Sequence, residues 1–400
     1  MTRTTAADVP ANQLFEFDMY ADRRFEKGLH EALKSLHEDA PDIFFTPAND
    51  GHWMVTRAEL LNEVLTDPAR FSAKEQRVPR VEDAMVLIPL NLDPPEHTFY
   101  RRILTPHFGP NAIAAMRPKI REWAQRLVAA VADKGECDFA EEVGSLFPVS
   151  IFMELMGLPL ERLREYRALV LEYFENVPAD RRIELENIIS NELRVVIEAR
   201  KAEPKDDLIS KLLVEAVEER QISMSELEQL CNLLFQAGMD TVANFASFFF
   251  LFLARNPDVQ RQICEAPDRI PDFVDEGLRM FGVVSNARLV TQDTELGGAQ
   301  LREGDIVVCA LPLAGLDERR NADPLKFDID RKGRSHMVFS QGNHLCIGHN
   351  LARAEMRVLL EEWVKAIPEF RLAEGFEPPF RPGSVFGLGT LSLEWDVAAA

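Results

Sequence analysis

The sequence predicts a mainly α-helical protein with a small amount of β-structure. Six runs place apolar residues at spacings of three and four, the pattern of helices that bury one face. A seventh run, between Ser223 and Asn256, is longer and apolar on nearly all sides. Strand patterns are short and collect mainly after Ser285, where glycines interrupt them.

The first half of the chain is predicted to be helical apart from one hairpin. The segments 43–46 and 52–55 flank Asn49, Asp50 and Gly51, a combination typical of a β-hairpin. The predicted amphipathic helices are 24–38, 57–66, 112–134, 160–175, 182–202 and 208–219.

The long apolar run is predicted to form one helix that crosses the domain. Ser223 and Glu226 form a capping box at its start, and no helix breaker follows until Asn256 and Pro257. At about 1.5 Å per residue, this helix would extend on the order of 45 Å.

The middle of this helix carries residues that a purely structural helix does not need. Gln236, Asp240 and Asn244 favour burial in a protein core over a membrane. Gly238 costs about 1 kcal/mol relative to alanine, and Asp240 is followed by the hydroxyl of Thr241. This pattern predicts that the helix interacts with a polar group at this point. The alternative is that Asp240 and Thr241 bond to nearby backbone and fill a helix contact.

The last third of the chain mixes strands with one helix. Gly297, Gly298 and Gly304 separate the predicted strands 287–291, 294–296, 299–301 and 306–309. A final helix, 351–367, precedes strand patterns at 370–372 and 391–395. We expect a single domain, 1–400, with β-richer parts at about 43–55, 287–309 and 370–396.

Composition excludes several classes of function. Hydrophobic residues make up 46% of the 400 residues, which is enough apolar surface for a folded core. The net charge of −21 argues against a nucleic-acid-binding protein that relies on broad attraction to phosphates. The first residues lack the apolar segment of a secretory signal or membrane anchor. We therefore expect a cytoplasmic protein with no membrane and no nucleic-acid partner.

Five cysteines are scattered without CxxC spacing, so neither a disulfide framework nor a zinc ribbon is expected. Most should be buried thiols, but Cys346 lies between Gly342 and Gly348, just before a helix whose free N–H groups favour a thiolate. Zinc is one option, with His344 and His349 as incomplete further ligands. Axial ligation of haem iron and a catalytic nucleophile are the others, and haem fits a single thiolate better.

The segment around Cys346 carries a specific resemblance. FSQGNHLCIG, starting at Phe339, matches FxxGxxxCxG, and the chain thereby resembles the cytochrome P-450 superfamily, whose members bind haem through this cysteine. Three further motifs agree in order and spacing along almost the whole chain. They are AGMDT at Ala237, ExxR at Glu276 and HxxxR at His97.

The resemblance implies a P-450 fold, with the long helix beside a haem b, and a role for each motif. Cys346 is the expected iron ligand, and Asp240 with Thr241 is the expected acid–alcohol pair that relays protons to dioxygen. Glu276 and Arg279 are expected to form a buried structural ion pair. The expected cofactor-binding residues are His97, Arg101, Ala237, Gly238, Arg288, Phe339, Gly342, His344, Cys346 and Gly348.

Within the superfamily the chain is most similar to bacterial camphor monooxygenases, in MDTVANFASF, LAGLDERRNADP and HLCIGHNLARAE. Such enzymes take electrons from an iron–sulfur ferredoxin and its NAD(P)H-dependent reductase. Where they place a tyrosine that binds the camphor ketone, this chain has Met85, so camphor itself is not expected. The expected substrate pocket consists of Met85, Leu87, Leu233, Gln236, Val284 and Val385.

These residues predict a haem-thiolate monooxygenase that hydroxylates a small hydrophobic substrate, such as a cyclic terpenoid or an ionone-like norisoprenoid. Gln236 is the one polar group that could replace the missing tyrosine; alternatively, it packs against nearby backbone. The alternatives for function are a haem sensor or carrier without catalysis, and a peroxide-driven peroxygenase of the same fold.

Overall fold

The computed structural model describes residues 3–81, 85–175, 177–218 and 221–397, and helices dominate these ranges. The helices are α1 Leu29–Asp39, α2 Ala58–Thr66, α3 Glu96–Phe108, α4 Pro110–Ala132, α5 Leu146–Met156, α6 Leu163–Phe174, α7 Ala179–Ala202, α8 Leu208–Leu212, α9 Met224–Gly238, α10 Thr241–Arg255, α11 Pro257–Glu265, α12 Ile270–Met280, α13 Pro312–Leu316 and α14 His349–Ala366.

The strands are short and form small sheets. Their bounds are β1 Ile43–Thr46, β2 His52–Val55, β3 Phe71–Ser72, β4 Glu136–Asp138, β5 Ser285–Val290, β6 Thr294–Leu296, β7 Ala299–Leu301, β8 Ile306–Ala310, β9 Arg371–Leu372, β10 Phe380–Arg381, β11 Gly387–Leu388 and β12 Ser392–Glu394.

The chain divides into two compact units. The first unit is Met1–Arg101, Glu276–Cys346 and Phe380–Phe386. Its centre is a five-stranded sheet in the order β1-β2-β8-β5-β3, in which β2 pairs with β8 in parallel and the other neighbours are antiparallel. Both faces of β1, β2 and β8 are buried, which explains why these strands are apolar apart from Thr46 and His52.

The second unit is Arg102–Asp275, Ile347–Pro379 and Gly387–Ala400. It is mainly helical, and α4 packs against α14. Phe139 stacks on Phe250 with ring centroids 4.0 Å apart, and the ring of Trp363 lies edge-on to both. The antiparallel sheet β4-β12-β9 belongs to this unit. A dense aromatic centre therefore supports the helix that follows the cysteine motif.

Most elements predicted from periodicity are present. The hairpin is β1 and β2, with Asn49, Asp50 and Gly51 all at positive φ. The six amphipathic helices and the last helix are confirmed to within a few residues, except that 208–219 is α8 followed by a π-helical segment, Leu213–Glu218. Strands lie in all three β-richer parts. The expectation of a single domain over 1–400 stays a prediction.

The prediction of one unbroken long helix is wrong. The helix stops at Gly238 and restarts at Thr241, with Asp240 at φ −138° and ψ −31°. The hydroxyl of Thr241 donates to the carbonyl oxygen of Ala237 at 3.2 Å, so a side chain inserts into the backbone hydrogen-bond ladder. The interruption falls on the acid–alcohol pair itself.

Across the described ranges, the one helical stretch long and apolar enough to span a bilayer is Met224–Arg255. Within its most apolar window, 72% of the residues are buried inside the protein. The polar side chains of Gln236, Asp240 and Asn244 are each no more than 2% exposed. This stretch is therefore a core helix, as the sequence predicts.

Candidate functional site

The cysteine motif forms a tight loop in the first unit. Cys346 is exposed and in no disulfide, and its backbone N–H donates to the carbonyl oxygen of Phe339 at 2.8 Å. Gly342 has a φ of +66°, and a Cβ there would lie 3.0 Å from the carbonyl oxygen of Leu65. Glycine is therefore required at this turn, and the loop presents the Cys346 thiol outward.

Gly348, the other glycine of the motif, begins the helix in the second unit. It is the N-cap residue of α14, and its carbonyl oxygen accepts the N–H of Ala352 at 2.9 Å. In the described part of the chain, no group of three or more His, Cys, Asp or Glu residues could hold a metal ion. The zinc alternative for Cys346 and His344 therefore has no ligand set there.

Four basic side chains of the first unit form a compact group, which we call the cationic cluster: His97, Arg101, Arg288 and His344. The rings of His97 and His344 lie 4.2 Å apart between centroids. Arg101 donates from Nη2 to the carbonyl oxygen of Leu345 at 2.7 Å, beside the cysteine. All four residues were predicted from the sequence to bind haem propionates, and the structure brings them together.

Burial and like charge keep the two histidines neutral. Burial lowers the pKa of His97 to about 4, helped by the charges of Arg101 and Arg288 and opposed by Asp93. Burial also lowers the pKa of His344 to about 3, and the charges of Arg288, His97 and Arg101 add to this effect. The environment is thus strongly positive and disfavours any further cation.

The cluster has hydrogen-bonding capacity that the protein does not use. Arg288 is 2% exposed, and its Nη1 donates to Gln76 and to the backbone of Ala287. Among the described residues, nothing pairs with Arg288 Nη2, His97 Nδ1 or His344 Nε2. Buried polar atoms without partners are costly, and a buried cation needs an anion. Two carboxylates such as the propionates of haem fit this group of donors.

The ExxR motif forms a closed network in the same unit. Glu276 and Arg279 are fully buried and meet through two parallel bonds, of 3.0 Å and 2.8 Å. Arg331 adds a second cation at 3.0 Å from Glu276, and Arg334 adds a third at 3.5 Å. Arg279 also donates to the carbonyl oxygen of Gly315 at 2.7 Å. The predicted buried ion pair is present, and it points inward to the fold.

The acid–alcohol pair lies at the helix interruption in the second unit. Asp240 is 1% exposed, and its Oδ2 accepts from the side-chain amide of Asn244 at 2.5 Å. Thr241 is partly exposed, Ala237 one turn earlier is exposed, and Leu233 is partly exposed. These last three residues form an open stripe on a helix that is otherwise mostly buried. A reactant could approach the Thr241 hydroxyl along this stripe.

The structure gives a different explanation for glycine at position 238 from the one expected. The sequence reasoning took its missing side chain as room for dioxygen. A Cβ on Gly238 would lie 2.5 Å from the ring of Phe152 in α5, so the space is filled by helix packing. Packing against Phe152 is sufficient to explain the glycine, the expected role toward dioxygen stays a prediction, and Ala237 is the small residue on the open stripe.

The six expected pocket residues are divided between the units. Met85 and Leu87 line a cavity of about 740 Å³ in the first unit, together with Lys74, Arg77 and Arg80, so its lining is more basic than expected. Val284 and Val385 meet in an antiparallel β-bridge of the same unit. The remaining two, on α9 in the second unit, are Leu233 and Gln236. Their joint role as one pocket stays a prediction.

Some residues at these sites were not predicted. Asn244 was taken only as a sign of a core helix, although its spacing of four from Asp240 predicts contact on one helix face. Gln76, which binds Arg288, and Phe152, which packs on Gly238, carry no sequence signal because they are distant in the chain. Asp93, which offsets the positive charge near His97, also lies outside the four motifs.

Comparison with known proteins identifies the class. The family model described as "Cytochrome P450" matches residues 14–388. The chain therefore belongs to the cytochrome P450 family, whose proteins bind haem through a cysteine thiolate and act as monooxygenases.

Individual relatives narrow the placement. The crystal structure of CYP101J2 superposes with a TM-score of 0.89 at 37% identity, covering 99% of this chain and 100% of that one. "Probable cytochrome P450 127A1" of Sinorhizobium fredii is 32% identical over 92% of this chain and 90% of its own length. "Cyclomarin C epoxidase CymV" of Salinispora arenicola is 31% identical over 84% and 88%, respectively. The camphor-type resemblance predicted from the sequence is confirmed.

Proposed function

We propose that this P450 monooxygenase hydroxylates a cyclic terpenoid or a norisoprenoid such as an ionone, acting in the cytoplasm with electrons from an iron–sulfur ferredoxin and its NAD(P)H-dependent reductase. The likeness to camphor-type enzymes supports the ferredoxin. Methionine at position 85, in place of the tyrosine donor, supports a less polar substrate than camphor. The apolar side chains of Leu87, Leu233, Val284 and Val385 support a small hydrophobic molecule.

We further propose that the Cys346 thiolate would bind the haem iron, with Phe339, Gly342 and Gly348 shaping its loop. Ala237 and Gly238, on α9, are proposed as further cofactor-binding residues. Haem, when bound, supplies the binding and activation of dioxygen. The cationic cluster neutralises and orients the two propionates. The cluster's unpaired nitrogen atoms, next to the Cys346 loop, are the observation that carries this proposal.

Asp240 and Thr241 are proposed to supply the protons that oxygen activation consumes. Asp240 is buried and is held by a hydrogen bond from Asn244. The Thr241 hydroxyl donates to Ala237 at rest, and it can instead donate toward the open stripe by rotation about one bond. The chain thus places a buried acid, Asp240, directly before a hydroxyl that can rotate, that of Thr241.

The proton role is tested by comparing Thr241→Ala with Ser247→Ala. Ser247 makes the same type of bond as Thr241, from its hydroxyl to the carbonyl oxygen four residues earlier, but it is buried. We expect Thr241→Ala to keep haem, consume reducing equivalents and release them mainly as peroxide. Ser247→Ala should form product with wild-type coupling. Equal coupling in all three proteins would contradict the relay.

The substrate class is tested by the shift of haem iron from low to high spin when a ligand displaces iron-bound water. We expect ionones and monocyclic or bicyclic terpenoids to give the shift at low concentration, and linear fatty acids to give none. Met85→Tyr, which adds the hydroxyl donor, should strengthen binding of camphor relative to wild type. A shift only with fatty acids would contradict the proposed substrate.

A further inference from the structure

Four buried polar side chains follow one line along the broken helix. Asn232, Gln236, Asp240 and Asn244 are spaced four apart, and each is only 1% or 2% exposed. Asn232 and Gln236 lie on one face of α9, where side chains four apart are neighbours, and Asp240 contacts Asn244 directly. We call this line the polar seam. It runs directly beside the open stripe, because each of Leu233, Ala237 and Thr241 follows a seam residue.

The seam is satisfied at its two ends but not in its middle. At one end, Asn244 donates to Asp240. At the other, Asn232 donates to the carbonyl oxygen of Glu228 at 2.9 Å and accepts from Ser190 at 3.4 Å. Gln236 Nε2 is buried, and the described residues offer it no hydrogen-bond partner.

A buried amide nitrogen without a partner is destabilising, so a structural reason for Gln236 is missing. The residues just before Gln236, Leu234 and Phe235, are buried and apolar. Buried waters typically bond to polar groups that the protein leaves unsatisfied. Gln236 is therefore suited to hold a water one turn before Asp240.

The outer end of the seam, where Asn232 bonds the backbone carbonyl oxygen of Glu228, is bordered by partly exposed side chains. Glu228 pairs with Arg194, and the side chains are 26% and 51% exposed, respectively. On the neighbouring helix α7, Ser190 and Glu186 continue the polar surroundings, and Tyr173 donates to Glu186 at 3.0 Å. Polar groups therefore surround the Asn232 end of the seam, next to the partly exposed pair of Glu228 and Arg194.

We propose that Gln236 is a positioning residue for proton delivery: its amide holds a buried water that passes protons to the Asp240 carboxylate. This inference rests on the proposed role of Asp240 and Thr241. A water that accepts a hydrogen bond from Gln236 Nε2 keeps both of its hydrogens free to donate, and Asp240 is the nearest acid along the seam. In each transfer the water passes one proton to the Asp240 carboxylate and takes up one proton that originates from solvent hydronium, so the water is regenerated and the carboxylate becomes protonated.

This assignment differs from the substrate contact that the sequence suggested for Gln236. Leu233 and Ala237 are open to approach, whereas Gln236 is 2% exposed. The seam lies about 100° around the helix from the open stripe, since successive residues turn by that angle. A group in this position serves Asp240 more directly than a ligand on the stripe.

The test compares Gln236→Met, which keeps the length of the side chain but removes the amide, with Gln260→Met. Gln260 is also 2% exposed, but it is fully bonded to Leu253 and Phe370 and lies far from the seam in sequence. We expect Gln236→Met to slow product formation on the order of tenfold, with a larger solvent deuterium isotope effect. Its substrate affinity, measured by the spin shift, should not change.

A crystal structure of the holoenzyme provides a readout that does not depend on turnover. Wild type should show a water within hydrogen-bonding distance of both Gln236 Nε2 and the Asp240 carboxylate, and Gln236→Met should lack it. Gln260→Met should lower thermal stability and leave the isotope effect unchanged, as expected for a structural glutamine.

Three results would overturn the inference: no ordered water at Gln236, an unchanged isotope effect in Gln236→Met, or a changed substrate affinity with an unchanged isotope effect. Thr241→Ala distinguishes a failure of the role of Gln236 from a failure of the proposed proton relay. If Thr241→Ala uncouples the enzyme and Gln236→Met does not alter proton delivery, only the role of Gln236 fails. If neither variant has an effect, the proposed relay fails with it.

Discussion

Two clusters of buried charged side chains in the first unit differ in how many of their polar atoms have a partner. The network around Glu276 joins one carboxylate to Arg279 and Arg331, and each guanidinium also binds backbone carbonyls. The cationic cluster instead gathers basic side chains and leaves three nitrogen atoms without a partner among the described residues. Asp93 offsets only part of its charge.

The difference separates a structural role from a binding role. A closed ion network contributes to holding the fold together, and breaking it leaves a buried charge uncompensated. An unpaired set of donors is unfavourable until an anion completes it, so its energy is released on binding. The motifs ExxR and HxxxR look equally charged in sequence, and only the pairing distinguishes them.

The largest expected effect is on the closed network. Glu276→Gln removes the carboxylate from beneath fully buried Arg279, and we expect a loss of about 3–5 kcal/mol in the free energy of unfolding. Denaturant unfolding of the holoenzyme would measure it. Glu394→Gln, which breaks the exposed pair with Arg371, is the control and should change stability little. A small effect of Glu276→Gln would contradict the structural role.

The next effect concerns the open cluster. Arg288→Met removes a buried donor, and we expect haem to dissociate roughly 10- to 100-fold faster, since hydrogen bonds to charged groups contribute about 1.5–3 kcal/mol. Transfer of haem to apomyoglobin measures this rate. Arg57 is also buried but is paired with Asp42, Asp317 and Glu318, so Arg57→Met should destabilise the fold without speeding haem loss. Faster haem loss in Arg57→Met, with unchanged haem loss in Arg288→Met, would contradict the separate binding and structural roles of the two arginines.

The smallest effect is a pH dependence. Burial lowers the pKa of His97 from 6.5 to about 4, so the folded protein keeps it neutral where the unfolded chain is protonated. Its contribution to stability is therefore full above about pH 6.5, is lost as the pH falls to about 4, and changes no further below that. Carboxylates bound at the cationic cluster should raise the pKa of His97 and so narrow the pH range over which this stability is lost.

His52 is the matched control for this titration. Burial lowers its pKa to about 4 as well, but it lies in β2 and outside the cluster. NMR titration of both rings, without porphyrin and with zinc protoporphyrin bound, should show a rise in pKa for His97 alone. Equal behaviour of the two histidines would mean that the propionates do not reach the cluster.

The fold could be predicted where a local pattern determines it. The capping box at Ser223 is present with both reciprocal bonds, and the hairpin turn uses its three predicted residues. The helix α3, which carries His97 and Arg101, was not predicted from periodicity, because prolines precede it and Pro106 lies inside it. The break before Thr241 depends on a side-chain bond, which hydrophobic periodicity does not encode.

The candidate site was predicted as a set of residues rather than as an arrangement. The family motifs name His97, Arg101, Arg288 and His344, but which nitrogen atoms stay unpaired depends on distant partners such as Gln76. Gly238 shows the same limit, since its reason is a phenylalanine ring from another helix. Contacts between segments far apart in the chain are the part that sequence patterns leave open.

The central claim is that Cys346 binds haem iron as a thiolate. The most direct measurement is the absorption spectrum of the reduced, carbon-monoxide-bound protein. We predict the long-wavelength Soret band of thiolate-ligated haem in the wild type and its loss in Cys346→Ala, while Cys264→Ala, at the other exposed cysteine, leaves it intact. A wild-type spectrum with the shorter-wavelength band of histidine-ligated haem, or an unchanged band in Cys346→Ala, would contradict it.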